Sequence, residues 1–410
     1  MNDARTEVAI PGTLLLDPTV VEDPYPFYDR LRQEAPAWRV PGTNVFAVTS
    51  FGAVAEVVGR ANDFSNVVRS LLYRDEDGLP RQLELGDLTT EALASSDAPV
   101  HTVHRKAVFP DLVARKMAAL ENDVQDLARS RVDTYASAGG GDFMAAVANA
   151  IPIRVIGRLI GFRDEDPDKL LEAAFDSTRM VGGTSTLEEI TEIIGRTVEV
   201  ATWIREEIAA GATDDDTLIA TAQRGISSGD LSEDQGAIIL HTLLSAGGES
   251  TTSLLGNAAR ILAERPDIQT LLRAEPDVIP TFVEEVLRLE SPFRQQMRSV
   301  PADTTLLGIE VPAGSTLLVF FSAANRDPAE YENADELRLD RESAKHHLAF
   351  GRGIHFCVGA PLARLEARLV LGALLDATRA FELDPTVAPN RAYSLLARRH
   401  ETLPLVASPR

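Results

Sequence analysis

Apolar residues recur at three- and four-residue intervals over most of this chain, the spacing of helices with one buried face. After Asp23-Pro24-Tyr25-Pro26 the pattern predicts a short amphipathic helix over 27–34. Alternating apolar positions then predict strands at 37–40 and 44–49, turning at Pro41-Gly42. A second sheet signal predicts a hairpin of 304–311 with 315–321, turning at Pro312-Ala313-Gly314. The long interval between these regions reads as helix after helix. The fold class expected is mainly α with a minor β portion.

One stretch breaks the pattern. Residues 69–96 are rich in Asp, Glu, Arg, Gly and Thr and read as a polar excursion with at most short helices. Loops of that length in a compact chain are usually lids or binding segments, and Met180-Val181-Gly182-Gly183 reads as a second lid element. No repeat and no Gly/Ser/Pro linker divides the sequence, so residues 1–410 are expected to form a single domain.

The longest predicted helix starts at a Ser232–Gln235 capping box and runs to Arg265, where Pro266 stops it. It spans about 50 Å, enough to cross a domain. Near its middle lies Ala246-Gly247-Gly248-Glu249-Ser250-Thr251-Thr252. Two adjacent glycines cost roughly 2 kcal/mol against alanine in a helix interior. A kink or a tight helix crossing would explain them. The carboxylate and hydroxyls that follow suggest instead a helix that admits something to its backbone and offers it protons.

Composition narrows the classes. The chain has 40 Lys and Arg against 62 Asp and Glu, a formal charge of −22, which repels nucleic acid and anionic membranes at long range. No run approaches the ~20 apolar residues of a membrane span, and the first residues lack a signal-peptide plan. A cytoplasmic location is expected. Cys357 is the only cysteine, so an internal disulfide and a multi-thiolate zinc site are excluded.

That cysteine lies in Phe350-Gly351-Arg352-Gly353-Ile354-His355-Phe356-Cys357-Val358-Gly359-Ala360-Pro361. The glycines permit a tight loop, and the helix predicted to follow places the sulfur near a helix N-terminus, which favours a thiolate. By itself a lone cysteine is compatible with a buried small hydrophobe or with a nucleophile activated by His355. The spacing of Phe350, Gly351, Gly353, His355, Cys357 and Gly359 resembles the haem-binding signature of the cytochrome P450 family. Glu285-Val286-Leu287-Arg288 is similar to the family's structural E-x-x-R ion pair, and the resemblance extends over essentially the full chain.

The resemblance implies a haem b bonded through Cys357. It gives His101 and Arg105 (in Asp97-Ala98-Pro99-Val100-His101-Thr102-Val103-His104-Arg105), Arg298 and His355 to the haem propionates. It places Glu249, Ser250 and Thr251 at the family's acid and hydroxyl positions, with Ser250 where Thr is usual. Glu336 stands where the family often has Arg, so Arg326 or Arg341 is expected to complete the ion-pair network. Strand alternation suggests Arg294 or Gln296 as polar pocket residues, and the resemblance adds Leu395 and Leu396 as apolar ones. The activity implied is monooxygenation of a small organic substrate with electrons from a ferredoxin and its reductase, by a protein expected to be a monomer. A basic face from Arg105, Lys106, Arg115, Lys116, Arg364 and Arg368 would receive that partner. The alternatives are peroxide-driven oxidation, a haem sensor or carrier without turnover, and a Cys–His hydrolase without haem; the acid–hydroxyl sequence favours the O2 route over a carrier.

Overall fold

A computed structural model describes residues 10–86, 89–108, 114–163 and 166–410, with the side chains of 114–118 outside the description. The architecture follows the expected class, with helices dominating and small sheets at the margins. The helix expected at 27–34 is Tyr25–Glu34, with Pro26 in its first turn. Among the described residues no helix is long and apolar enough to cross a membrane.

The organising element is the helix Glu233–Glu264. Ser232 Oγ accepts from Gln235 N at 3.1 Å while Gln235 Oε1 accepts from Ser232 N at 2.9 Å, the reciprocal box that the sequence predicts. Around it pack Ala150–Ile160, Pro167–Met180, Leu187–Ala210, Leu218–Ser228 and Ala360–Ala377. The helix passes through Gly247 and Gly248 without interruption. A Cβ at Gly247 would meet Ile156 at 3.1 Å, and one at Gly248 would meet Ile153 at 3.1 Å. What approaches this backbone is therefore a neighbouring helix, and the propensity cost is offset by a close crossing.

A four-stranded sheet forms the second layer, in the order Ala37–Arg39, Val45–Val48, Thr316–Val319, Gln296–Ser299. The pleat sends Val45, Ala47 and Leu318 into one apolar cluster and Phe46, Val48, Leu317 and Val319 into another. Arg298 is thereby fixed in register opposite Leu317.

The predicted hairpin of 304–311 with 315–321 does not form. Thr304–Leu306 folds onto Ile309–Val311 about Leu307-Gly308, both at positive φ (50° and 78°), as a two-residue hairpin turn requires. Thr316–Val319 instead runs parallel to Val45–Val48, a pairing with a partner some 270 residues away that no local signal reveals. The polar excursion is also not helical or irregular throughout. Ser70–Arg74 and Pro80–Glu84 form an antiparallel hairpin. Asp75 closes its turn by accepting from Asp77 N, Leu79 N and Arg81 Nε, and Leu71 and Leu72 are buried beneath it.

Candidate haem and oxygen-activation site

The cysteine loop is shaped by its backbone. Gly351 and Gly353 both have positive φ (68° and 71°), which lets the chain turn back so that Cys357 N donates to Phe350 O at 2.8 Å. The loop is tied to the adjoining segment where Leu348 N donates to Asn325 Oδ1 at 2.6 Å. Gly359 then begins the helix Ala360–Ala377, and the amides of Gly359 and Ala360 point at the Cys357 sulfur. Burial pushes the thiol up, while those two amides and the charges of Arg105 and Arg364 oppose it. A sulfur held by amides at a helix N-terminus is set up as a thiolate ligand.

Beside it a cluster of donors gathers from three separate elements. His101 and Arg105 come from Val100–Val108, Arg298 from its strand, and His355 from the loop. The rings of His101 and His355 lie 4.0 Å apart. Burial, then the charges of His101 and Arg298, push His355 down to about 3, so it is a neutral imidazole. Arg298 is buried, donates to the Met297 carbonyl at 2.7 Å, and falls to about 10 through burial, with Asp97 opposing. Among the described residues His355 Nε2 is buried with no hydrogen-bond partner. The buried Arg298 guanidinium, opposed by Asp97, and the Arg105 charge converge on the His101 and His355 imidazoles. A propionate would answer the buried Arg298 cation and the unmet His355 nitrogen, so these residues fit a haem. No local signal in the sequence marks Asp97, which ties this cluster to Ser65 Oγ and Asn66 N.

The helix Glu233–Glu264 presents its motif on two faces. Ala246, Gly247 and Ser250 are half-buried, whereas Glu249, Thr251 and Thr252 are buried. Ser250 Oγ donates to the Ala246 carbonyl at 2.5 Å. Thr252 donates to Ala148 O at 2.9 Å. Glu249 points elsewhere: its Oε1 accepts from Arg399 Nε at 3.0 Å and its Oε2 from the Thr178 hydroxyl. Burial raises the Glu249 carboxyl, and Arg399 and Thr178 work against that rise.

The E-x-x-R pair is fully buried. Arg288 meets both oxygens of Glu285 (2.8 and 3.0 Å) and also donates to the carbonyls of Asn325, Ala334 and Glu336. Arg341, with Nε 3.3 Å from Glu285, is the third member. Arg326 turns instead to the Leu289 carbonyl and Glu290. Glu336 thus takes part through its backbone.

The polar pocket expectation fails at Arg294. Its guanidinium donates to the carbonyls of Val21 and Ala397, bracing the N-terminal segment against the C-terminal one, so it serves as a strut and not a substrate contact. Gln296 is half-buried opposite Val319. Leu395 packs in one cluster with Leu72, and Leu396 is buried beside it in sequence. The basic face is also weaker than its composition suggests. Arg364 is paired bidentately with Glu284 and Arg368 with Glu121, while Lys106 is exposed. The side chains of Arg115 and Lys116 lie outside the described residues. Unforeseen from sequence, Ile354 and Phe356 of the cysteine loop are 51% and 42% exposed.

Residues 186–401 match the family model for cytochrome P450. Cytochrome P450 144 of Mycobacterium tuberculosis is 40% identical over 389 residues, covering 94% of this chain and 89% of its own. The solved structure of cytochrome P450 CREJ in complex with (4-ethylphenyl) dihydrogen phosphate superposes with a TM-score of 0.86 at 27% identity, covering 95% of this chain and 98% of its own. P450BioI, in complex with hexadec-9Z-enoic acid ligated acyl carrier protein, does so with a TM-score of 0.84 at 25% identity, covering 95% and 99%. By these matches and by the geometry of the cysteine loop, the chain belongs to the cytochrome P450 family of haem-thiolate monooxygenases.

Proposed function

We propose that this chain holds a haem b through Cys357 and inserts one atom of O2 into a small, largely apolar organic substrate, taking electrons from a ferredoxin and its reductase. The observation that carries the reading is the amide-held sulfur of Cys357 beside the cluster of Arg105, Arg298, His101 and His355. When bound, the haem supplies O2 binding, O–O cleavage and C–H oxygenation. The chain's part is position, dryness and protons.

Cys357 would hold the haem iron through its sulfur, and the Gly359 and Ala360 amides would temper the electron donation of that sulfur. His101, Arg105, Arg298 and His355 anchor the propionates through charge-assisted bonds. Ser250 holds a hydroxyl at the helix surface, its proton shared with the Ala246 carbonyl, ready to donate where oxygen is activated. Glu249 is the acid that resupplies it, with Thr251 adjacent. The substrate reading rests on the apolar wall: Gly183 fits against Leu72 and Leu395, and Arg294 is committed elsewhere. Around the cysteine loop, Lys106 and Arg352 are exposed beside Ile354 and Phe356, a surface with cations and apolar area for an acidic electron carrier.

The test is Ser250→Ala in the holoenzyme. Reductant is expected to be diverted from product to peroxide. Full conversion of reductant to product would remove the assigned role. Turnover with an acidic ferredoxin is expected to fall as salt rises.

A further inference from the structure

Glu249 belongs to a recognisable motif, yet its carboxylate is held by residues that no motif contains. Arg399 bonds Oε1 and Thr178 bonds Oε2. The Arg399 guanidinium also lies 3.9 Å from the centre of the Phe175 ring. Phe175 and Thr178 stand one turn apart on Pro167–Met180, the helix that leads into Gly182 and Gly183. Arg399 follows Leu395 and Leu396 on the C-terminal segment, and Leu395 N donates to Gly182 O at 3.0 Å. Two segments that meet at Gly182 and Leu395 therefore hold the same carboxylate, one at each oxygen.

This grip matters because of where the acid sits. Glu249 is about 1% exposed, and Ser250, the next residue, spends its proton on Ala246. A carboxyl buried without a cation takes up a proton and keeps it, whereas a proton relay must return to its ionised form each cycle. Arg399 supplies the contacting cation; Arg179 on Pro167–Met180 contributes a second, weaker field, itself tied to Asp176, which also pairs with Arg196.

We propose that Arg399, assisted by Thr178, is the positioning residue for Glu249, keeping the carboxylate oriented and ready to deliver protons. Proton supply then depends on the contact between the C-terminal segment and the helix Pro167–Met180. The proposal rests on the assignment of Glu249 as the acid of a monooxygenase.

The experiment uses the substrate-loaded holoenzyme with its electron donors. Arg399→Gln is expected to lower product formed per reductant about tenfold and to enlarge the solvent deuterium isotope effect on turnover. Arg399→Lys, which keeps the cation, is expected to restore most of the coupling, and Thr178→Val to shift the isotope effect in the same direction by less. A readout independent of turnover is the thermal midpoint of the ferric holoprotein. Arg399→Gln and Glu249→Gln should each lower it, and the double variant should fall by less than their sum. Wild-type coupling and isotope effect in Arg399→Gln would overturn the proposal, as would a Lys variant no better than Gln. If Glu249→Gln itself leaves coupling unchanged, the acid assignment fails and this proposal with it. If Glu249→Gln uncouples while Arg399→Gln does not, only the positioning role falls. Should Arg399→Gln not fold, an unchanged isotope effect in Thr178→Val overturns the claim.

Discussion

Two buried carboxylate–guanidinium pairs in this protein do opposite work. Glu285 and Arg288 sit one turn apart on one helix, and each has several partners: the carboxylate meets the Arg338 amide and the charge of Arg341, and the guanidinium meets three carbonyls. Glu249 and Arg399 are 150 residues apart and bring together a helix and a C-terminal segment. The first pair is saturated by backbone and so fixes a fold. The second is held by one cation and one hydroxyl, drawn from two elements far apart in the chain. Burial alone does not distinguish a strut from a working group; the number and origin of its partners does.

The largest effect is expected where the network is saturated. Arg288→Met leaves Glu285 buried beside fewer donors, and a broken buried pair costs about 3–5 kcal/mol. Denaturant unfolding of the holoprotein should show that loss, and a drop under 1 kcal/mol would make the pair dispensable. An intermediate case is Glu284, which accepts from Arg364 and His347. Burial alone would raise its carboxyl, but those bonds outweigh it and hold it at about 2, against an ordinary 4.5. The folded value is the lower one, so the stabilisation is whole above pH 4.5 and is lost as pH falls towards 2. It amounts to about 3 kcal/mol at neutral pH. Glu284→Gln should flatten acid unfolding within that window; an unaltered acid limb would contradict the assignment. The smallest effect belongs to Arg368–Glu121, whose side chains are 40% and 41% exposed. Arg368→Ala should cost about 0.5 kcal/mol or less and lose even that in high salt.

The same contrast explains what the sequence could disclose. The cysteine loop is a local arrangement in which glycine positions, an aromatic and a sulfur fall within a dozen residues, so spacing alone exposes it. Glu285 and Arg288 are readable for the same reason. Arg341 could not be told from Arg326, because the choice is made by how 325–341 wraps back over the ion-pair helix. Arg399 carried no local mark at all, and Arg294 carried a misleading one: strand alternation pointed it at the pocket, but the Val21 and Ala397 carbonyls claim it. The hairpin Ser70–Arg74 with Pro80–Glu84 was hidden because a polar average over 69–96 masks the short Leu71-Leu72 core. At Gly247 and Gly248 the cost was legible but its purpose was not, since only the packed neighbour shows that a helix crossing repays it.

All of this turns on which atom of the chain bonds the haem iron. The most direct measurement is the absorption spectrum of the reduced, carbon monoxide-bound protein, recorded for the natural chain and for Cys357→His. A sulfur ligand predicts a Soret band at markedly longer wavelength in the natural chain than in the histidine variant. Superimposable bands in the two proteins would contradict the account.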